Sequence, residues 1–271
     1  APNCVFTGNA SGSTGGAIGM SSGSATAAES VVLVDCAFTN NVSASYGGAI
    51  CLGNIVDLEI DRCSFVDNVS TGHNAAVRLT DDKLKLTNGV VRNSLFLRNA
   101  TDDCTMTGCN NERAGGGVAL NSTNITVSCC TFVSNVCYTT ANGGGICGKN
   151  SATGVPLVEN CLLWDNIANG ATAGGNTANR YRSTRYFFNY DSQGYLPTAN
   201  ENLGPTDVAA PGFVDAAADD YRLAGGSALI DAGRNADWME TATYLDPPKR
   251  SRSGRLYNGI VDIGCYEYWP V

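Results

Sequence analysis

The stretch Cys36-Ala-Phe38-Thr-Asn-Asn41 is the clearest copy of a motif in which Cys stands two residues before Phe and Phe three residues before Asn. The Phe-x-x-Asn part recurs in five other places, the last with Leu for Phe: Phe6–Asn9, Phe65–Asn68, Phe96–Asn99, Phe132–Asn135 and Leu163–Asn166. The first residues of successive copies are 32, 27, 31, 36 and 31 positions apart. A period of this length with the same residues in each unit predicts a stack of near-identical coils.

The coils are predicted to consist of short parallel strands. No unit shows a helical period, and each is too short for a four-stranded propeller blade. The pattern favours an all-β, right-handed, single-stranded parallel β-helix of about six rungs, which stacks into roughly 30 Å of solenoid at about 4.8 Å per rung. One inner wall is expected to be lined by the aliphatic residues that stand three positions before each Cys or Ser of the motif: Leu33, Ile60, Val91, Val127 and Val158.

The asparagine of the motif is expected to lie where the coil turns. Asparagine tolerates a left-handed backbone, and its side chain bonds neighbouring backbone groups. Stacking the coils would place these side chains in one amide ladder, as in cross-β stacks. The predicted ladder consists of Asn9, Asn41, Asn68, Asn99, Asn135 and Asn166. The Gly pairs of Gly15-Gly-Ala-Ile18 and Gly47-Gly-Ala-Ile50 predict a second corner, where a side chain would clash.

The twelve cysteines need two explanations. Five occupy the repeat position two before the Phe or Leu, where a thiol is expected to be a small buried core residue: Cys4, Cys36, Cys63, Cys130 and Cys161. Cys104 and Cys109 lie instead in a long excursion after Asn99, and we predict that they form a local disulfide. A disulfide would imply an extracellular or periplasmic location. No Cys and His residues have zinc-site spacing, so a metal-thiolate centre is not expected.

Composition limits the partners and the organisation of the chain. A formal charge of −8 argues against a nucleic-acid partner, and no apolar run reaches the roughly 18 residues of a membrane helix. Residues 1–175 are predicted to hold the rungs, and residues 176–271 the terminal strands and an irregular β capping module. We interpret the basic and aromatic stretch Asn179–Tyr190 as the last strands, with rings that cover the end of the core, although a glycan or nucleic-acid reader could look similar.

The first rung raises a question about the amino-terminal end of the stack. It enters at Cys4-Val-Phe6, with no aliphatic strand or capping helix before it in this sequence. The end of a solenoid exposes unpaired strand amides and apolar core. We therefore expect this rung to be covered by upstream sequence or by neighbouring copies stacked end to end.

Two resemblances to known families cover most of the chain. The phrases Asp220-Tyr-Arg-Leu223, Gly226-Ser-Ala-Leu-Ile-Asp231-Ala-Gly233 and Asn258-Gly-Ile-Val-Asp262-Ile-Gly-Cys-Tyr-Glu-Tyr268 resemble the choice-of-anchor Q module that ends secreted bacterial β-helix proteins. Ala228 and Cys265 depart from that pattern. The Gly-Gly-Ala-Ile and Phe-x-x-Asn repeats resemble those of polymorphic outer membrane proteins, which are surface β-helix adhesins. The resemblances imply an extracellular or cell-surface location, and function only by analogy.

Parallel β-helices also include polysaccharide lyases and hydrolases, so an active site must be weighed. The residues just after the Gly corner form one row, Cys51, Arg78, Ala119 and Cys147, which offers a single ionisable base and no carboxylate cluster. Asp81, Asp82 and Lys83 follow Arg78 closely, and together these four are the residual catalytic candidates. We interpret the last three as a solvated turn.

The expected function is therefore non-catalytic: an adhesin or structural rod that binds a surface glycan or a protein ligand. The alternative is a carbohydrate-cleaving or carbohydrate-binding protein that uses the Arg78–Lys83 face or the excursion Asn99–Arg113. No cofactor is expected, although a lyase of this fold would need acidic calcium ligands. Asp215, Asp219 and Asp220 crowd one turn and offer weak grounds for Ca²⁺.

Overall fold

The computed structural model describes residues 2–20, 30–53, 55–72, 76–80, 88–101, 115–121, 124–138, 143–148, 156–168, 185–192, 196, 200–240, 256 and 258–269. Within these ranges the chain consists almost entirely of strands and turns, and parallel strands stack into a β-helix. The predicted fold class is confirmed.

The strands are short and follow one another closely along the chain. In order they are β1 Val5–Thr7, β2 Ala10–Ser11, β3 Ile18–Gly19, β4 Ser30–Val34, β5 Ala37–Thr39, β6 Val42–Ser43, β7 Ile50–Gly53, β8 Asp57–Asp61, β9 Ser64–Val66, β10 Val69–Ser70, β11 Val77–Thr80, β12 Asn88–Arg92, β13 Leu95–Leu97, β14 Ala100–Thr101, β15 Val118–Asn121, β16 Ile125–Ser128, β17 Thr131–Val133, β18 Val136–Cys137, β19 Ile146–Gly148, β20 Leu157–Glu159, β21 Leu162–Trp164, β22 Ile167–Ala168, β23 Arg185–Phe187, β24 Tyr190–Asp191, β25 Phe213–Asp215 and β26 Asp220–Leu223. In the described part of the chain, 3-10 helices also cover Ala216–Ala218 and Asp237–Glu240.

Four parallel sheets form the walls, and a complete coil contributes one strand to each. The aliphatic sheet contains β4, β8, β12, β16, β20 and β23; the Phe sheet β1, β5, β9, β13, β17, β21 and β24; the Asn sheet β2, β6, β10, β14, β18 and β22; and the Gly sheet β3, β7, β11, β15 and β19. Coils β4–β7, β8–β11, β12–β15 and β16–β19 have all four strands, and incomplete coils flank them. Pairing keeps the repeat in register, because Phe38 pairs with Phe65 and Phe65 with Phe96.

One strand of the Phe sheet was not predicted as a rung of the repeat. β24 pairs in parallel with β21, so that Tyr190 lies opposite Leu162. The motif is absent at this point of the sequence, although the basic and aromatic stretch was expected to supply the last strands. β23 and β24 are those strands within the described part of the stretch.

Residues with a left-handed backbone make two corners of each coil. They stand directly before the Cys position or directly before the ladder asparagine: Asn3, Asp35, Arg62, Asn93, Cys129, Asn160 and Phe188 at the first corner, and Gly8, Asn40, Asp67, Arg98, Ser134 and Asp165 at the second. The expectation that the ladder asparagines themselves take this backbone is wrong. Because the preceding residue makes the turn, the asparagine side chain stays aligned with its neighbours in the stack.

The Gly pair makes a further corner for steric reasons. Gly47 has φ of 64°, and a Cβ added there would lie 2.1 Å from the Ile50 carbonyl oxygen. A Cβ on Gly16 would lie 2.1 Å from the Gly48 carbonyl oxygen of the next coil. The predicted clash therefore accounts for both positions of the pair.

The core is the stack of inward residues that the repeat predicts. Leu33, Ile60, Val91, Val127 and Val158 are buried, as are the thiols of Cys36, Cys63, Cys130 and Cys161. The rings of Phe6, Phe38, Phe65, Phe96 and Phe132 form a column with centroids 4.7–4.8 Å apart. Each aromatic ring therefore packs on the same residue of the neighbouring coil.

After β24 the chain packs along the outer face of the Phe sheet. We call the described residues of 204–269 the strap. Tyr221 and Cys265 of the strap form a buried apolar cluster with Leu95, Leu97 and Val133 of the wall. The Gly264 amide also donates to the Asn160 carbonyl oxygen at 2.9 Å. The sequence indicates an irregular β module here but does not place it against this side wall.

Candidate functional site

The six predicted ladder asparagines form one continuous hydrogen-bonded column. The Asn41 amide nitrogen Nδ2 donates to Asn68 Oδ1 at 2.9 Å, and the Asn41 backbone N–H donates to the same oxygen at 3.0 Å. Nδ2 also donates to the Phe6 carbonyl oxygen at 3.0 Å. The same set of bonds repeats through Asn99 to Asn135. Because both hydrogens and the oxygen are used inside the protein, these amides are structural groups.

A shorter amide stack escaped the sequence reasoning. Asn189 lies in the Cys position of the repeat, where its Oδ1 accepts the Cys161 backbone N–H at 2.8 Å. Asn202 continues the column, since its Oδ1 accepts both the backbone N–H and Nδ2 of Asn189 at 3.0 Å. The available signal was the shared pattern of Asn followed by a large apolar residue, in Asn189-Tyr190 and Asn202-Leu203.

The structure places one of the four residual catalytic candidates. Arg78 lies in β11 of the Gly sheet, opposite Cys51 and Ala119. These are its neighbours in the row that was predicted from the sequence. Asp81, Asp82 and Lys83 lie outside the described residues, as do Cys104 and Cys109 of the predicted disulfide. The roles predicted for those residues stay predictions.

Arg78 is a buried cation on the outward side of the Gly sheet. Its side chain alternates with the core residues Val77 and Leu79, yet the residue is only 7 % exposed. The guanidinium carbon lies 4.1 Å from the centre of the Tyr46 ring, and Nη1 lies 3.8 Å from Cys51 Sγ. Nε is buried and has no hydrogen-bond acceptor in the part of the chain that the structure describes. A guanidinium stays protonated in proteins, so the group offers positive charge and N–H donors rather than a base.

The outer face of the aliphatic sheet carries an ion-pair network that the sequence reasoning missed. Arg62 binds both Asp35 oxygens, at 2.7 and 2.9 Å, and Asp61 at 2.7 Å. Arg92 of the following coil binds Glu59 at 2.7 Å, and its Nε lies 3.5 Å from Asp61. The hydrogen bond to Asp35 raises the pKa of Arg62 above its usual value. The alternation Asp57-Leu-Glu59-Ile-Asp61 was the signal, because it directs every second residue outward.

A groove of about 420 Å³ adjoins this network on the same sheet. Its lining combines aliphatic side chains with polar and acidic ones: Ser30, Val31, Val32, Asp57, Leu58, Glu59, Asn88 and Val90. Val32 is 47 % exposed, which is high for an aliphatic strand residue. The Ser30 hydroxyl donates to Asp57 at 3.3 Å and links two coils across the groove. Concave surface with few, fixed polar groups is typical of ligand sites, so this groove is the candidate binding surface.

Charged contacts also fix the strap to the solenoid. Arg98 of the second corner binds Asp67 at 2.9 Å and Asp219 of the strap at 2.6 Å, and these hydrogen bonds hold the pKa of Arg98 above its usual range. Arg92 lies 4.8 Å from the centre of the Trp238 ring. Arg234 binds Glu159 and lies over the ring of Phe188. These contacts join the strap to three coils of the solenoid.

The three aspartates weighed as Ca²⁺ ligands have separate roles in the strap. Asp215 caps the first 3-10 helix by accepting the Ala218 N–H, and Asp219 binds Arg98. Asp220 binds Arg222, which lowers the pKa of that carboxyl. Across the described ranges, no three His, Cys, Asp or Glu side chains converge as metal ligands.

The cysteines of the described part carry thiols. Those of the repeat position donate to backbone carbonyl oxygens, as Cys63 does to Asp61 at 3.3 Å and Cys161 to Glu159 at 3.3 Å. Burial raises the pKa of the Cys63 thiol to about 12. A protonated, buried thiol is an inert core group, which agrees with the interpretation of this column as packing.

Residues 35–53 match the family model of the Chlamydia polymorphic membrane protein repeat. The matched segment runs from the first corner through β5 and β6 to the end of β7, so it covers one coil of the Phe, Asn and Gly sheets. Proteins with this repeat are outer-membrane or surface proteins, and the match agrees in this coarse sense with a cell-surface location. Neither the curated proteins nor the solved structures that were searched gave a match. No helix in the described ranges has the length and hydropathy to cross a membrane.

Proposed function

We propose that the protein is a non-catalytic extracellular or cell-surface β-helix protein that serves as an adhesin or a structural rod. The observation that carries the proposal is the pairing of charges between coils. Asp35, Asp61 and Glu59 are bound by Arg62 and Arg92 across three successive coils. Carboxylates bound in this way hold neighbouring coils together. A stack of coils that is joined by amide ladders and ion pairs is expected to be a rigid rod.

The location and the end of the chain are part of the same proposal. The match of one coil to the polymorphic membrane protein repeat supports a surface protein, and the adhesin role is carried over by analogy. We propose that residues 203–268 form an end module of the choice-of-anchor Q type. The lateral packing of the strap supports this, since such a segment stabilises the coils against which it lies.

The ligand surface we assign is the groove on the aliphatic sheet. Its exposed Val32 offers apolar contact, and Asp57 and Glu59 offer acceptors for hydroxyl or amine groups of a glycan or a protein. A glycan array and a binding assay on cells would test this. We expect Val32→Asp to abolish binding while Val5→Asp, an exposed valine of the Phe sheet, leaves it unchanged. Equal loss in both variants would contradict the assignment.

The second candidate is a carbohydrate-cleaving enzyme, which one observation favours. Glu59 and Asp61 occupy successive outward positions of β8 beside the groove, and glycoside hydrolases use two carboxylates at fixed separation. Both carboxylates are bound by arginine, which favours the structural role. A polysaccharide-digestion screen decides between the two. Release of reducing ends that disappears in Glu59→Gln would establish the enzyme and overturn the non-catalytic proposal.

A further inference from the structure

Arg78 is a buried positive charge that has no negative partner among the described residues. The residue is 7 % exposed, and no carboxylate of the described chain lies within the 4.0 Å of an ion pair. Its contacts are the Tyr46 ring and the Cys51 sulfur, and its Nε–H has no acceptor. Every other arginine placed in the ion-pair network or the strap contacts at least one carboxylate.

This arrangement is unfavourable in the absence of a ligand. Burying a cation costs free energy that pairing and hydrogen bonding must offset, and a buried N–H without an acceptor adds to the cost. The Tyr46 ring recovers part of it through a cation–π contact. An anion with oxygen atoms would satisfy both remaining needs, because it would accept the hydrogen bond of Nε–H and neutralise the charge of the guanidinium.

The neighbours of Arg78 along its row are small and polar or weakly apolar, and none of them carries a charge. In the row on the outward side of the Gly sheet, the positions on either side of Arg78 are Cys51 and Ala119, followed by Gly19 and Cys147. All four are small residues. Arg78 is thus the one long side chain of the row, with the Tyr46 ring against its guanidinium.

We propose that Arg78 is the recognition residue of a binding site for a small oxyanion, which is the carboxylate or sulfate group of an acidic sugar or a free inorganic anion. The group would accept the Nε–H and sit against the guanidinium fork, the geometry that suits carboxylates and sulfate-like oxyanions. The net charge of −8 repels long polyanions, so the site selects a single anionic group. The site adds a ligand class to the proposed surface role and does not depend on it.

The test compares thermal melting of the wild type with Arg78→Met in a chloride buffer. Methionine keeps the length of the side chain and removes the charge, so we expect the variant to melt at the same or a higher temperature without oxyanion. Sulfate, phosphate, acetate and glucuronate are then added in parallel, with glucose as the neutral control. Sulfate and phosphate stabilise proteins in general, so the readout is the difference between wild type and variant. We expect an added rise of melting temperature in the wild type alone.

The pattern across probes and variants decides the outcome. A response to glucuronate and acetate indicates an acidic sugar, and a response to sulfate or phosphate alone indicates an inorganic anion. Arg78→Lys should bind at least about tenfold more weakly by calorimetry, because it keeps the charge and loses the fork. Arg222→Met, which removes an arginine paired with Asp220, should respond to every probe as the wild type does. If Arg78→Met melts well below the wild type and both respond equally to every probe, Arg78 is structural and the proposal fails.

Discussion

From β1 to β17 the Phe sheet has one repeated inner face and two different outer faces. Inside, the same ring recurs from Phe6 to Phe132. Outside, the first coils show Val5, Ala37 and Thr39, which are exposed or half-buried, with Val5 at 73 %. The later coils show buried apolar residues: Leu95, Leu97, Val133 and Leu162.

This difference between the inner and outer faces of the Phe sheet shows that inward and outward residues determine different features of the structure. The inner residues contact the next copy of themselves, so each must suit the repeat and the sequence becomes periodic. The outer residues of β13, β17 and β21 contact the strap, which is not periodic, and there large apolar residues replace the small or exposed ones of the first coils. The inner face therefore specifies the coil, and the outer face specifies what docks on it.

The largest expected effect comes from removing one ring of the inner column. Phe96→Ala should lower the free energy of unfolding by about 3–5 kcal/mol, because it opens a cavity between two stacked rings. Phe6→Ala should cost less, since Phe6 is half-buried and its ring stacks on Phe38 alone among the described rings. Urea unfolding of both variants checks this. Equal losses would mean that the inner column does not act as a stack.

The amide ladder should rank next. Asn68→Ala removes the acceptor of the Asn41 N–H and Nδ2 and the donor to the Phe38 carbonyl oxygen, so buried polar groups lose partners. We expect a loss of about 3 kcal/mol, the upper part of the range for such groups. Asn124→Ala, at an exposed asparagine, is the control and should change stability by less than about 0.5 kcal/mol. A control as damaging as the ladder variant would contradict the structural role of the column.

The outer faces should respond unequally to changes of the same kind. Leu97→Thr exchanges a buried leucine under the strap for a polar residue and should cost about 2 kcal/mol. Thr39→Leu makes the reverse exchange at the equivalent outward position of the uncovered coils, with an effect within about 0.5 kcal/mol. Chemical denaturation measures both. If Thr39→Leu stabilised the protein as much as Leu97→Thr destabilised it, a covering segment would also lie over the early coils.

The smallest effect is a pH dependence at the junction of solenoid and strap. Burial, followed by the charges of Asp191 and Asp165, raises the pKa of Tyr190 to about 12, and its hydroxyl donates to Val208 at 3.1 Å. The folded state thus holds the proton more tightly than the unfolded state. The resulting stability is complete below the unfolded pKa of about 10 and is lost as pH rises toward 12.

A melting series from pH 9 to 12 tests this, with Tyr190→Phe as the control that cannot ionise. We expect the melting temperature of the wild type to fall more steeply over this range than that of the variant. Cys63 contributes a similar slope to both proteins, since the pKa of its thiol is also raised to about 12. Parallel slopes would show that Tyr190 does not ionise on unfolding in this range.

The sequence predicted the parts of the molecule that contact copies of themselves. Phe38 pairs with Phe65, and Asn41 bonds Asn68, because identical residues of successive coils meet, and a period in the sequence shows which residues these are. The left-handed corner was misassigned by one residue. Position 40 is Asn and position 67 Asp, but position 98 is Arg and position 134 Ser. Because the residue type at the turn differs from coil to coil, the repeat pattern does not identify it.

The strap and the site chemistry were harder to predict because they depend on contacts between distant segments. Arg98 meets Asp219 across a sequence separation of 121 residues, and no local pattern links them. The ion pairs of Asp61 with Arg62 and Arg92 needed both the coil register and the outward direction of each strand. Arg78 was identified from the sequence as the one ionisable base of its row, but its burial, and the lack of a carboxylate beside it among the described residues, follow only from the packed structure.

The central claim is that the solenoid, held together by its ladders, is stable by itself and that the strap docks on it as a separate unit. Amide hydrogen-exchange rates of the Leu97→Asp variant test this claim most directly. A charge at this buried contact should detach the strap. The account predicts that the Ala224 and Ile263 amides of the strap exchange at least about tenfold faster, while the Val69 amide, bonded to Asn41 of the preceding coil, keeps its protection. Equal acceleration at Val69 and Ala224 would show that solenoid and strap unfold as one unit and would contradict the account.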